Sequence, residues 1–207
     1  MPGLAAGRFF RADRGYTVRP VWWIQLMGMF MSNKSNKLTL LYNAEAIADR
    51  VRAMAAQING CYAGEPVLVV GVLKGAFIFC ADLARHLTMP LEVEFVRLAS
   101  YGQSSTGGPE IKFTKDVETS LAGRHVLIVE DIVDTGRSMA FLCGQFASRG
   151  AASVRLAAFV DKPERRELPI NADFTGFNIA GGFIVGYGLD YAEQYRELPG
   201  LYVLDVP

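Results

Sequence analysis

The sequence predicts an α/β protein built on a mostly parallel central sheet with helices on both faces. Continuous apolar runs at residues 66–72, 125–130 and 153–159 are rich in β-branched side chains and too short for helices, so they read as buried strands. Stretches of helical period separate them, and strands that alternate with helices imply a parallel sheet covered on both sides. A chain of 207 residues, half of them hydrophobic and one-fifth charged, is long enough to bury a single core of this kind.

In chain order, residues 1–37 stand apart as an N-terminal extension. They hold six basic residues (Arg8, Arg11, Arg14, Arg19, Lys34, Lys37) against one acid, Asp13. Their apolar run, VWWIQLMGMFM at 21–31, is shorter than the ~20 residues that a membrane span needs. SNKSNK follows it in place of a small-residue cleavage site. The extension is therefore expected to lie outside the fold, as sequence translated upstream of Met29 or Met31, with a weak membrane or targeting role as the alternative. Residues 38–207 form the predicted domain.

Residues 42–59 carry Ile47, Val51, Met54, Ala55 and Ile58 at three- and four-residue spacing, an amphipathic helix with Gly60 as its expected stop. After the strand at 66–72, residues 76–87 read as helix and 91–99 as strand. The segment 102–109, with QSSTGG at its centre, is a connection or a mobile lid. The strand at 125–130 leads to a helix at 137–149 closed by Gly150. Beyond the strand at 153–159, short strand-like pieces at 173–177, 183–187 and 202–206 read as closing strands and a small flap.

Lys plus Arg equals Asp plus Glu, 21 against 21. Without the extension, fifteen basic face twenty acidic residues, which disfavours the basic face that a general nucleic-acid binder presents. Cys61, Cys80 and Cys143 are widely spaced and odd in number, so no disulfide framework or metal pair is legible. Cys80 and Cys143 fall in apolar helical stretches and read as buried thiols, in keeping with a reducing, cytoplasmic compartment. His86 and His125 read as structural or surface residues.

The chemistry concentrates in VLIVEDIVDTGRS, residues 126–138. A tight turn through Gly136 into a helix aims backbone amides and the positive helix end at one spot, a geometry that suits a phosphate monoester. Thr135 and Ser138 add hydroxyls, and Arg137 points either to the anion or to solvent. No GxxxxGK[ST] is present, which disfavours triphosphate cradling. Glu130, Asp131 and Asp134 beside a phosphate need hydroxyls, a metal or a proton to address; Asp131 and Asp134 serve equally well as caps of the turn and helix.

The pattern of two hydrophobic residues followed by Glu-Asp-x-x-Asp-Thr-Gly resembles the phosphoribosyl-diphosphate motif of the type I phosphoribosyltransferases. GVLKGAFIF (71–79), LASYG (98–102), VDKPERR (160–166) and FIVGYGLDYAEQYR (183–196) resemble the hypoxanthine and hypoxanthine-guanine branch. The resemblance implies a type I phosphoribosyltransferase fold with a small hood from the chain ends. It also implies phosphoribosyl transfer from 5-phosphoribosyl 1-diphosphate to hypoxanthine, and to guanine, in purine salvage.

It further implies roles for single residues. Glu130 and Asp131 bind ribose hydroxyls, Asp134 to Ser138 hold the 5′-phosphate, and Asp134 accepts the proton of purine N7. Lys74 and Gly75 meet the diphosphate through backbone amides, often at a non-proline cis bond. Arg196 binds diphosphate too, with Arg166 able to approach it. Ser100 and Tyr101 head a closing lid. Lys162 donates to the 6-oxo group, Phe183 stacks on the base, and backbone groups of Ile184 and Asp190 read its edge. Mg²⁺ is the expected cofactor, associated with Asp190 and with the acids Glu130 and Asp131. The expected partners are the two small-molecule substrates, without nucleic acid or membrane, in a homodimer or homotetramer. Arg137-Ser138 and Gly181-Gly182 depart from the residues common in the family, and neither departure removes a catalytic group. An RNA-binding regulator on the same fold and a transferase for xanthine or a pyrimidine are the alternatives. The acidic body argues against the first, and Lys162 with Phe183 against an orotate site.

Overall fold

The computed structural model describes residues 37–101 and 110–205. In chain order the elements are β1 (Leu38–Tyr42), α1 (Ala44–Tyr62), β2 (Val67–Leu73), α2 (Phe77–Ala84), β3 (Leu91–Tyr101) and β4 (Glu110–Lys115). Then come β5 (His125–Val133), α3 (Arg137–Ser148), β6 (Ser153–Asp161), a 3-10 turn (Pro163–Arg165), β7 (Phe174–Asn178), β8 (Phe183–Val185) and β9 (Leu201–Leu204). The N-terminal extension, the lid segment 102–109 and the last two residues lie outside the described residues.

The main sheet runs β4-β3-β2-β5-β6-β7. β2, β3, β5, β6 and β7 pair in parallel, and β4 closes one edge antiparallel to β3. Alternate residues of the same strands feed two separate cores, because successive side chains of a strand point to opposite faces. Val67 and Val69 of β2, with Leu127 and Val129 of β5, pack against Val51, Met54 and Ile58 of α1 and Phe79 and Leu83 of α2. Leu68, Val70, Val126 and Ile128 face the other way, onto Met139, Leu142 and Phe146 of α3. Helices therefore cover both faces, as predicted.

Three local expectations change. Gly60 does not stop α1: the helix runs on to Tyr62, which is buried, and ends at Ala63 and Gly64, both in the left-handed region (φ 50° and 93°). Burial of the Tyr62 ring holds the extra turn. β5 extends past Glu130 to Val133, so Asp131 stands in the strand with Glu130, just ahead of the turn that leads into α3. β4 has no counterpart in the prediction; its residues alternate between exposed and half-buried, the pattern of an edge strand.

A second, three-stranded antiparallel sheet, β1-β9-β8, joins the two ends of the described chain into the expected hood. Cys80 is buried, Cys143 half-buried and Cys61 exposed. Among the described residues, no helix is long and apolar enough to cross a membrane.

Candidate active site

β2, β5 and β6 are neighbours in the sheet, so the loops leaving their carboxyl ends converge. They bring Lys74 and Gly75, the segment 130–138, and Lys162 to one edge. The hood presents β8 and the turn after it to the same edge. A cleft of about 390 Å³ results, bounded by Asp131, Asp134, Lys162, Phe183, Ile184 and Asp190, with Ile132, Arg165, Gly182 and Leu189 completing its wall. A smaller cavity of about 100 Å³ adjoins the loop residues Glu130, Asp134, Thr135, Gly136 and Ser138.

The smaller cavity has the make-up of an anion cradle. Gly136 (φ 82°) caps the start of α3 and offers no side chain to its first amides, which leaves them to face a ligand. The Thr135 carbonyl accepts from the amides of Glu167 (2.9 Å) and Leu168 (3.3 Å) and so ties the loop to the segment after β6. Arg166 donates to the Asp134 carbonyl (2.8 Å) and pairs with Asp161, with both side chains largely buried. Two internal acceptors take the Arg166 guanidinium, so it braces the loop. Arg137 is likewise engaged, its Nε 2.5 Å from Glu167 Oε2, and only its backbone remains with the cradle.

Asp134 faces the cleft. Its Oδ1 is sealed from solvent and accepts no hydrogen bond, although Arg165 Nε lies 3.1 Å away in poor alignment. A carboxylate oxygen held ready without a hydrogen bond is suited to accept a proton. Sequence reasoning missed Arg165, because adjacent arginines in KPERR give no sign of which one faces inward.

Glu130 Oε2 is also buried without a partner. Burial, reinforced by Asp131, pushes the Glu130 carboxyl well above its usual range. Burial likewise raises Asp131 to about 6, against hydrogen bonds from backbone amides and the charge of Arg196. Two neighbouring acids, one with a buried oxygen that no donor reaches, are suited to receive hydroxyl groups or a cation. The Asp131 carboxylate leans over Gly75, where any Cβ would overlap it, so a side chain at 75 and an acid at 131 exclude each other. The Leu73–Lys74 peptide bond is cis.

Lys162 is buried, and its Nζ donates to the Gly182 carbonyl at 2.7 Å beside the cleft. Desolvation lowers its pKa, partly offset by Asp134. Phe183 is the opposite case, a large aromatic left 43% exposed, with its ring edge-on to Tyr191 at 5.2 Å. An exposed ring beside a buried amine, both bordering the cleft, forms a slot for a flat polar heterocycle. Ile184 is buried, so only its backbone is available to a ligand.

Asp190 Oδ1 lies 2.7 Å from Arg196 Nη2, and its Oδ2 accepts from the Glu193 amide at 2.9 Å. Lys74 and Arg196 are both bound to Glu193, a residue that the sequence reading passed over. Their hydrogen bonds, that of Lys74 foremost, hold the Glu193 carboxyl below its usual range. Among the described residues, no three His, Cys, Asp or Glu side chains form a group able to hold a metal. Asp190, Glu130 and Asp131 therefore do not form a protein-only cage. Ser100 borders neither cavity and pairs through β3 with Ile111; the side chain of Tyr101 lies outside the described residues.

Comparison with known proteins agrees with this fold. Residues 38–192 match the phosphoribosyl transferase domain family. The hypoxanthine-guanine phosphoribosyltransferase of Bacillus subtilis is 43% identical over 165 residues, which span 80% of this chain and 92% of the relative. A crystal structure of a hypoxanthine-guanine phosphoribosyltransferase from Bacillus anthracis superposes with a TM-score of 0.77 at 38% identity, over 80% of this chain and 98% of that one. A Trypanosoma cruzi hypoxanthine phosphoribosyltransferase, solved as a ternary complex with substrates, superposes with a TM-score of 0.76 at 38% identity, over 80% and 94%.

Proposed function

This chain belongs to the phosphoribosyltransferase family, and from that membership we propose that it works in purine salvage, moving the phosphoribosyl group of 5-phosphoribosyl 1-diphosphate to N9 of hypoxanthine, and of guanine, with release of diphosphate. The observation that carries this reading is the shared cleft of Asp134, Lys162 and Phe183, with the anion cradle adjoining it.

In this reading the 5′-phosphate sits on the start of α3, among Thr135, Gly136 and Ser138. Glu130 and Asp131 accept from the ribose hydroxyls. The base lies against Phe183, with its 6-oxo group toward Lys162 Nζ and its edge on the backbone of Ile184 and Asp190. The bond from C1 to diphosphate breaks as the N9 bond forms, and Asp134 takes the proton from N7. A positioned proton acceptor contributes roughly 10²- to 10⁴-fold. The positive charge that develops on the sugar faces an acidic wall, which stabilises it. Lys74, the amides at Gly75 and Arg196 receive the departing diphosphate.

The donors fit Mg²⁺: they are all oxygen, and Glu130 Oε2 is buried without a partner. Asp190, with Glu130 and Asp131, would hold it, and it would neutralise charge on the diphosphate leaving group. A homodimer or homotetramer, working in the cytoplasm, completes the proposal.

Steady-state rates with hypoxanthine, guanine, xanthine and orotate test the reading. Turnover of hypoxanthine and guanine above xanthine and orotate supports it. Tight, salt-sensitive RNA binding without turnover of any base overturns it.

A further inference from the structure

Glu193 has no part in the mechanism above, yet its carboxylate grips Arg196, a cation that the mechanism uses, and the side chain of Lys74, whose loop meets the diphosphate. Oε1 lies 2.9 Å from Lys74 Nζ and Oε2 lies 3.2 Å from Arg196 Nη2. The two cations come from distant parts of the chain, Lys74 from the loop after β2 and Arg196 from the segment between β8 and β9. Glu193 is the one acid that touches both of them among the described residues.

The turn is shaped to put it there. Ala192 and Glu193 take left-handed backbone angles (φ 50° and 64°), and the Glu193 amide donates to Asp190 Oδ2. The carboxylate itself is exposed, with 63% of the side chain open to solvent, so no core packing holds it in place. Only the two charges do. A bidentate oxyanion spanning these cations has the form of the ligand expected there.

We propose that Glu193 is an internal anion that holds Lys74 and Arg196 together before substrate binds and yields them to the incoming diphosphate group. The proposal rests on the phosphoribosyltransferase reading and deepens it. Diphosphate carries more charge and more oxygens than one carboxylate, so it displaces Glu193. When diphosphate leaves, the carboxylate reclaims both cations. Glu193 therefore weakens diphosphate binding and speeds its release, and it leaves recognition of the base alone. No covalent step is involved.

The test is calorimetric titration of inorganic diphosphate, and separately of 5-phosphoribosyl 1-diphosphate, into the full chain as wild type, Glu193→Gln and Glu193→Ala. Exposed ion pairs are individually weak, so both variants are expected to bind diphosphate about three- to thirtyfold more tightly. The gain should shrink as salt is raised, because these charges are open to screening. KM for hypoxanthine should stay within about twofold, a split that a general loss of structure would not produce. Equal or weaker diphosphate binding in both variants overturns the role of Glu193. Failure of the wild type to bind either ligand overturns the functional reading instead, so the two failures are distinguishable.

Discussion

Gly136→Ala probes the anion cradle most sharply. Gly136 opens α3 with φ 82°, a region where an L side chain costs about 1–2 kcal/mol. A Cβ there would also stand 2.5 Å from Ile170 Cγ2, 2.8 Å from Arg166 Cδ and 3.3 Å from the Leu168 carbonyl. Arg166 cannot swing away freely, because Asp161 and the Asp134 carbonyl hold its guanidinium. Overpacking of this kind costs roughly 1–3 kcal/mol, which with the backbone penalty makes about 2–5 kcal/mol in all. For a domain of this size, each kcal/mol moves Tm by about 2–4 °C, so thermal unfolding should begin roughly 4–20 °C lower. KM for 5-phosphoribosyl 1-diphosphate should rise as well, since the displaced loop carries the amides that meet the phosphate. Gly144→Ala is the internal control. Gly144 lies in the same helix, exposed, and a methyl added there would meet nothing within 4 Å, so the change should stabilise by about 0.8–1 kcal/mol. A Gly136→Ala protein with unchanged Tm and unchanged KM would refute both the steric and the functional reasoning.

Arg166→Met strands the Asp161 carboxylate at a largely buried site, at a cost of about 3–5 kcal/mol. Its Tm should therefore fall far more than that of Arg196→Met, while Arg196→Met should lose the more diphosphate affinity; the reverse pattern would make Arg166 a diphosphate ligand after all. Lys162→Met should raise KM for hypoxanthine. Because burial lowers the pKa of Lys162, the unfolded chain binds the extra proton between the folded and unfolded values, so wild-type stability rises with pH across that window. The unfolding free energy of the wild type minus that of Lys162→Met should rise as pH climbs toward the ordinary lysine value of about 10.4, and a constant difference would contradict it.

The parallel core was legible because β2, β5 and β6 are apolar on both faces and α1 carries an unbroken stripe. β4 was not, because EIKFTK has one half-buried face and alternates with charges that suit a loop equally well. Asp131 fell outside the expected strand because charge is rare inside one; the strand tolerates Glu130 and Asp131 where it leaves the sheet and meets the cleft. The tight turn through Gly136 into α3 was readable from local spacing. Arg165 and Arg166 were not separable, since their roles depend on which acceptor the 3-10 turn at Pro163–Arg165 brings near. Glu193 was invisible for a related reason: Lys74 reaches it across 119 positions of sequence.

The most direct test of the proposed chemistry is Asp134→Asn, measured for both turnover and 5-phosphoribosyl 1-diphosphate binding. The amide keeps the shape of the side chain but cannot take the N7 proton. Binding should be nearly unchanged, with kcat lower by roughly 10²- to 10⁴-fold. Wild-type turnover in this variant would contradict the assignment of Asp134 as proton acceptor.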